Sequence, residues 1–202
     1  LAATAHHWGL AGEPATASQF WLQAARGALA AGQAARAGEH CRRGLDEAQT
    51  SGAAIEPGHI RNLWLTLGQA EMAGGGPLAP GAATALQRAL LGCQGESGET
   101  DACFQARWAL WVRTTAEAGH PAGRQDAHNL RALSEAGTAQ RTAADWAVGS
   151  NAYWLGRLGE AGLHLRRAAA GGPAWAPYPP GRDPRMAAQG LLGLTWWQLG
   201  FP

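Results

Sequence analysis

The sequence predicts an all-α protein, an α-solenoid in which antiparallel helix pairs stack into a right-handed superhelix. Three observations carry this. Apolar and small residues recur at helical spacing on both sides of Gly156: Trp146, Gly149, Tyr153 and Trp154 before it, Ala161, Leu165 and Ala168 after it. Two amphipathic helices therefore meet at a glycine hinge, with Gly149 and Ala161 small where the helices touch. The spacing from tryptophan to glycine also repeats, since Trp21, Trp64 and Trp108 each stand eleven residues before Gly32, Gly75 and Gly119. Finally, no stretch alternates apolar and polar residues with the two-residue period of a strand.

In order along the chain, residues 1–12 have helix-forming composition and end at Gly12. Pro14 opens the next helix, whose Phe20, Trp21, Ala24, Ala25 and Ala28 share a face before the hinge at Gly32; its partner runs through Ala37, Cys41 and Leu45. Further hinges are expected at Gly75, Gly119, Gly156 and Gly200. Successive hinges lie 43, 44, 37 and 44 residues apart, longer than the 34 of a standard tetratricopeptide repeat, and such a period also suits HEAT or armadillo arrays. The tryptophan-to-glycine spacing favours the tetratricopeptide-like arrangement. The extra residues belong to loops rich in helix breakers at 50–58, 74–81, 95–100 and 171–182. Ala25, Gly68, Gly149 and Gly193 occupy the small contact position of their repeats, and Val112 departs from it. Asp183 and Pro184 read as N-cap and first-turn residues of the last helix. Residues 1–202 are thus expected to form one helical-repeat domain of about four and a half repeats. Because Leu199-Gly-Phe-Pro202 stops at a hinge with no second helix after it, the chain is expected to belong to a longer polypeptide.

Composition narrows the function. All sixteen basic residues are arginine, and the formal net charge of +1 is spread along the chain, so there is no basic stripe for nucleic acid. The absence of lysine excludes a Gly-Lys-Ser/Thr phosphate loop. Cys41, Cys93 and Cys103 are odd in number and form no Cys-x-x-Cys unit, which suits reduced thiols in a cytoplasmic protein. His6 and His7 are the only clustered imidazoles, and no metal-ligand spacing follows them. No secretory signal and no apolar run of membrane-spanning length is present. There is no nucleophile elbow, metal cluster or carboxylate pair, so no catalytic residue, metal or cofactor is assigned.

A binding surface is predicted by counting three, six, ten and thirteen residues back from each hinge, to the positions that face the groove in tetratricopeptide arrays. The polar and aromatic members are Gln19 and Arg26, Asn62 and Gln69, Arg113, then Trp146, Ser150 and Tyr153, and Trp197; Leu22, Leu29, Leu65, Met72 and Leu194 share the face. Arginines beside aromatics suit a ligand with a carboxylate and an apolar or aromatic body. The alternative is that Arg26 and Arg113 are solvated and the aromatics pack the neighbouring repeat. The expected function is accordingly a non-catalytic module for a protein or peptide partner or a small effector; its rival is a structural or autoinhibitory spacer.

The segments His7-Trp-Gly-Leu-Ala-Gly12, Ala37-Gly-Glu-His-Cys-Arg-Arg-Gly-Leu45, Trp154-Leu-Gly-Arg-Leu-Gly-Glu-Ala161 and Tyr178-Pro-Pro-Gly-Arg-Asp-Pro184, with the closing Leu194-Thr-Trp-Trp-Gln-Leu-Gly-Phe-Pro202, carry a resemblance that covers nearly the whole chain. It resembles the tetratricopeptide-like C-terminal region of bacterial STAND-type predicted ATPases linked to class III adenylate/guanylate cyclase or to winged-helix, MalT-like transcriptional regulators. Ala188 stands where that family commonly has cysteine, and the proline-rich 173–180 is a further departure. The resemblance implies a sensory or scaffolding segment that meets the other domains of a parent protein, with no catalytic residue of its own.

Overall fold

The computed structural model describes residues 1–51, 55–93, 101–172 and 183–201. All regular structure among them is helical: α1 (Ala2–Leu10), α2 (Pro14–Ala30), α3 (Ala34–Thr50), α4 (Pro57–Gly75), α5 (Pro80–Leu91), α6 (Asp101–Leu133), α7 (Ala139–Trp154), α8 (Leu158–Ala169) and α9 (Pro184–Gln198). Parts of the expected loops, at 52–54, 94–100 and 173–182, lie outside the described residues, as does Pro202. The Cα packing groups the chain into two compact units, Leu1–Ala109 and Leu110–Pro202, with the boundary inside α6.

Helix ends follow local chemistry. Proline occupies the first turn of α2, α4, α5 and α9, where its missing N–H costs nothing. Four helix ends share one exit. The N–H groups of Glu13, Gln33, Arg157 and Phe201 reach back to the carbonyls of Trp8, Ala28, Ala152 and Trp196 at 2.8–3.0 Å, with Gly12, Gly32, Gly156 and Gly200 at positive φ just before. This is the Schellman closure, in which a left-handed glycine lets the chain turn back on the spent helix. Two exits differ. Gly76 (φ 78°, ψ −179°) ends α4, and Gly119 (φ 78°, ψ 178°) breaks α6, a conformation restricted essentially to glycine. The turn expected at Gly75 therefore falls one residue later, because Gly75 remains the last helical residue of α4.

In the first unit, Leu22, Ala25, Cys41, Leu45, Leu63, Leu67 and Ala85 form a core joining α2 to α5, flanked by smaller clusters of Ala5, Ala17 and Trp21 and of Ala28, Ala37 and Ala70. Small residues let the backbones approach. A Cβ on Gly68 would lie 2.7 Å from Leu86 Cγ, so α4 and α5 meet through a glycine socket filled by a leucine. In the second unit, Ala152, Ala161, Leu165, Ala168, Ala188 and Leu192 make the core. The same socket recurs there, where a Cβ on Gly149 would meet Leu165 Cγ at 2.8 Å and its backbone nitrogen at 3.0 Å. Gly193, expected in the matching role, has no contact of this kind among the described residues and is exposed. At the break in α6 the roles reverse. Gly123, after the break, would carry its Cβ 2.3 Å from Thr115 Oγ1, so the small residue sits on the second helix, while Val112 is half-buried.

The repeated tryptophans are clamped in a recurring way. Arg43 lies over the Trp21 ring at 5.2 Å and Arg88 over Trp64 at 5.6 Å, each arginine coming from the next helix. Such stacking adds a cation–π attraction to the apolar burial.

The expectation of three reduced thiols is corrected: Cys93 and Cys103 form a disulfide. An odd cysteine count does not reveal that the end of α5 returns to the start of α6. Cys41 remains free and buried, and burial pushes its thiol up to about 12, so it is an inert core residue. Asp183 caps α9 as expected, its carboxylate accepting from the Arg185 N–H at 2.9 Å and from the Arg185 guanidinium.

Candidate functional site

The predicted groove residues fall into three kinds of place. In the first unit, Gln19 and Arg26 are exposed on α2 and Asn62 is half-buried on α4. Gln69 is buried, and its Nε2 donates to Gln105 Oε1 at 2.9 Å, so it ties α4 to α6. In the second unit, Arg113 is 17% exposed in its side chain and pairs with Glu117 at 3.3 Å along its own helix. Trp146 sits edge-to-face against Trp111 at 5.5 Å, and buried Ser150 donates to the Ala147 carbonyl at 3.1 Å. Tyr153 accepts from Gln198 Nε2 at 3.0 Å, linking α7 to α9. Trp197 is 71% exposed. Gln19, Arg26 and Trp197 are thus available to solvent, whereas Gln69 and Ser150 are spent on internal hydrogen bonds and Trp146 on packing.

Ser18 and His59 meet at 2.8 Å, but the Ser18 hydroxyl donates to the Gly44 carbonyl at 2.7 Å. The imidazole must therefore donate its Nε2–H to the serine, the reverse of a general base, and Ser18 is fully buried. Burial, then the nearby Arg26, lowers the His59 pKa. His6 and His7 are exposed with ring centroids 6.4 Å apart. Among the described residues no group of three or more His, Cys, Asp or Glu side chains is placed to hold a metal ion.

Sequence reasoning missed two polar clusters in the second unit, whose members come from helices far apart in the chain. In one, Asp145 Oδ1 accepts from Arg131 Nε and from His164 Nδ1, each at 2.8 Å. Burial raises the Asp145 pKa, but these hydrogen bonds outweigh it and hold the carboxyl below its usual range. This knot joins α6, α7 and α8.

The other is a dent lined by Arg124, His128, Val148, Asn151, Ala152, Leu155 and Glu160. His120 Nδ1 meets Asn151 Oδ1 at 2.7 Å. The same imidazole stacks on the Trp154 ring at 5.7 Å. Glu160 is paired with Arg157 at 3.1 Å and faces His128 at 3.7 Å. Burial lowers the His128 pKa, with Glu160 pulling up and Arg124 pushing down. Histidine spacing alone gave no sign of this arrangement, because its members join only once α6 is broken at Gly119 and folded against α7.

No family model, no curated protein and no solved structure matches the chain.

Proposed function

We propose that this chain is a non-catalytic, tetratricopeptide-like solenoid module that receives a peptide or protein partner, or a small effector, on side chains presented between its glycine turns. The observation that carries the reading is the recurring local unit: the same Schellman exit after Gly12, Gly32, Gly156 and Gly200, and the same glycine socket filled by Leu86 and by Leu165. A chain that repeats one supersecondary unit presents equivalent side chains at regular intervals, which is how solenoids bind extended partners. Exposed Gln19 and Arg26 supply polar recognition on the first unit, and exposed Trp197 an aromatic anchor on the second. On the resemblance to the C-terminal regions of STAND-type regulators, the partner we propose is another domain of a parent signalling protein.

Panning a random dodecapeptide library against the folded chain tests this, with the Gln19→Ala, Arg26→Ala protein as counter-selection. A consensus peptide is expected whose affinity falls at least about tenfold in the double variant, the loss of one charge-assisted contact. Absence of a consensus, or equal binding to both proteins, rejects the reading in favour of a spacer.

A further inference from the structure

α9 carries two apolar sides, and only one of them is covered. It buries Pro184, Ala188, Leu192 and Thr195, and packs on α7 and α8. On its other side Met186, Gly190, Gly193, Leu194 and Trp197 recur at helical spacing and are exposed, although a helix that is apolar all round is normally buried all round. The one charged residue of α9, Arg185, is paired with Asp183 at 2.6 Å, so this open side is uncharged. It has a counterpart inside the same unit. Gly149 stands seven residues before the turn glycine Gly156 and receives Leu165, which stands nine residues after that turn. Gly68 receives Leu86 in the same way. Gly193 likewise stands seven residues before Gly200, and the two turns match, since Phe201 N–H donates to the Trp196 carbonyl as Arg157 N–H donates to that of Ala152. Yet a Cβ on Gly193 would meet nothing within 4 Å among the described residues. The socket is formed and open.

We propose that the exposed side of α9 docks an amphipathic helix of the partner domain, antiparallel to α9, with a leucine seated on Gly193 as Leu165 is seated on Gly149. This deepens the reading of the chain as a partner-receiving solenoid and rests on it. The docked helix extends the series α7, α8, α9 by one member, across an interface of the kind that already joins α7 to α8. Trp197 lies about one turn after Gly193 and Met186 about two turns before it, so the two large side chains bracket the docked leucine. Because the open side offers no charge, the partner stripe that fits it is built of leucine and small residues, with its charges on the far face.

A single short helix is mostly unfolded when free in water, so the probe is a tethered one. Residues 159–170 are copied after Pro202 of the full chain, which puts Pro202 in the place of Leu158 and the copy of Leu165 nine residues after Gly200. Hydroxyl-radical footprinting then reads Met186 and Trp197, and a thermal melt reads stability. Labelling of both side chains is expected to fall in the extended chain, and its melting midpoint to rise by about 3 °C or more. Gly193→Gln is expected to leave the midpoint of the unextended chain unchanged or slightly higher, and to cancel both effects in the extended one. Leu165→Asp made in the copy alone is expected to cancel them too. No protection on extension, or protection that survives either substitution, overturns the proposal. Protection of Met186 and Trp197 in the unextended chain that grows with its concentration also overturns it, because the occupant is then a second copy. The peptide selection with the Gln19 and Arg26 variant reads the first unit, so either experiment can fail alone.

Discussion

Asp145 shows how one residue binds three helices. Its Oδ1 takes two hydrogen bonds from buried or half-buried partners, so Asp145→Ala would leave the buried His164 donor without its acceptor and strip the half-buried Arg131 of its ion pair. A cost of about 3 kcal/mol is expected in urea denaturation at neutral pH. Because the folded carboxyl lies below its ordinary value, its contribution is present above the unfolded pKa of about 3.9 and is lost as pH falls through the lower folded value. The stability gap between the native protein and Asp145→Asn should therefore shrink in denaturation midpoints measured below about pH 4. Asp183 is a simpler case: Asp183→Ala should cost about 1 kcal/mol by removing the cap of α9. Its role was legible because an Asp-Pro pair ahead of a helical run is a local signal. The Asp145 knot was not, since Arg131, Asp145 and His164 lie on separate helices and nothing local to any of them names the other two.

At the level of helices, the glycines divide by what surrounds them. Gly149→Ala should destabilise by about 1–3 kcal/mol, because the new methyl would meet the Leu165 side chain and backbone. Gly193→Ala, in an exposed stretch of α9 with no described neighbour, should be neutral or stabilise by up to about 1 kcal/mol through helix propensity. Thermal melts of the two variants side by side check both directions. Gly119→Ala should cost about 1–3 kcal/mol for a different reason, since a side chain would have to adopt an extended conformation at positive φ. The turns were readable because hinge glycines follow amphipathic runs at fixed spacing. The slip from Gly75 to Gly76 arose among three consecutive glycines, where the eleven-residue spacing selects Gly75 but the residue at positive φ is the next one. Groove assignment was less readable. Counting back from a turn gives a helix face, but whether Gln69 meets solvent or Gln105 depends on where α6 lies.

For the chain as a whole, the helical class was legible from periodicity, while the Cys93–Cys103 bond was not, because parity carries no information about which helix ends meet. The unreduced protein should have the mass of the reduced chain less two hydrogens, and replacing both cysteines with serine should lower stability by about 2–4 kcal/mol in a melt run without reductant. Pairing along the chain has a consequence for biosynthesis. In the first unit, α1 packs on α2, α2 on α3, α3 on α4 and α4 on α5, so each helix finds its main partner within one short connection. Loop closure costs little entropy at such separations, and chains dominated by local contacts fold fast. The first unit can therefore pair helix by helix as it leaves the ribosome, before α9 has been translated. The second unit has to wait, because α7 also packs on α9 and Tyr153 bonds Gln198, so a nascent chain stalled before Pro184 should hold α7 and α8 with one flank of their core still wet.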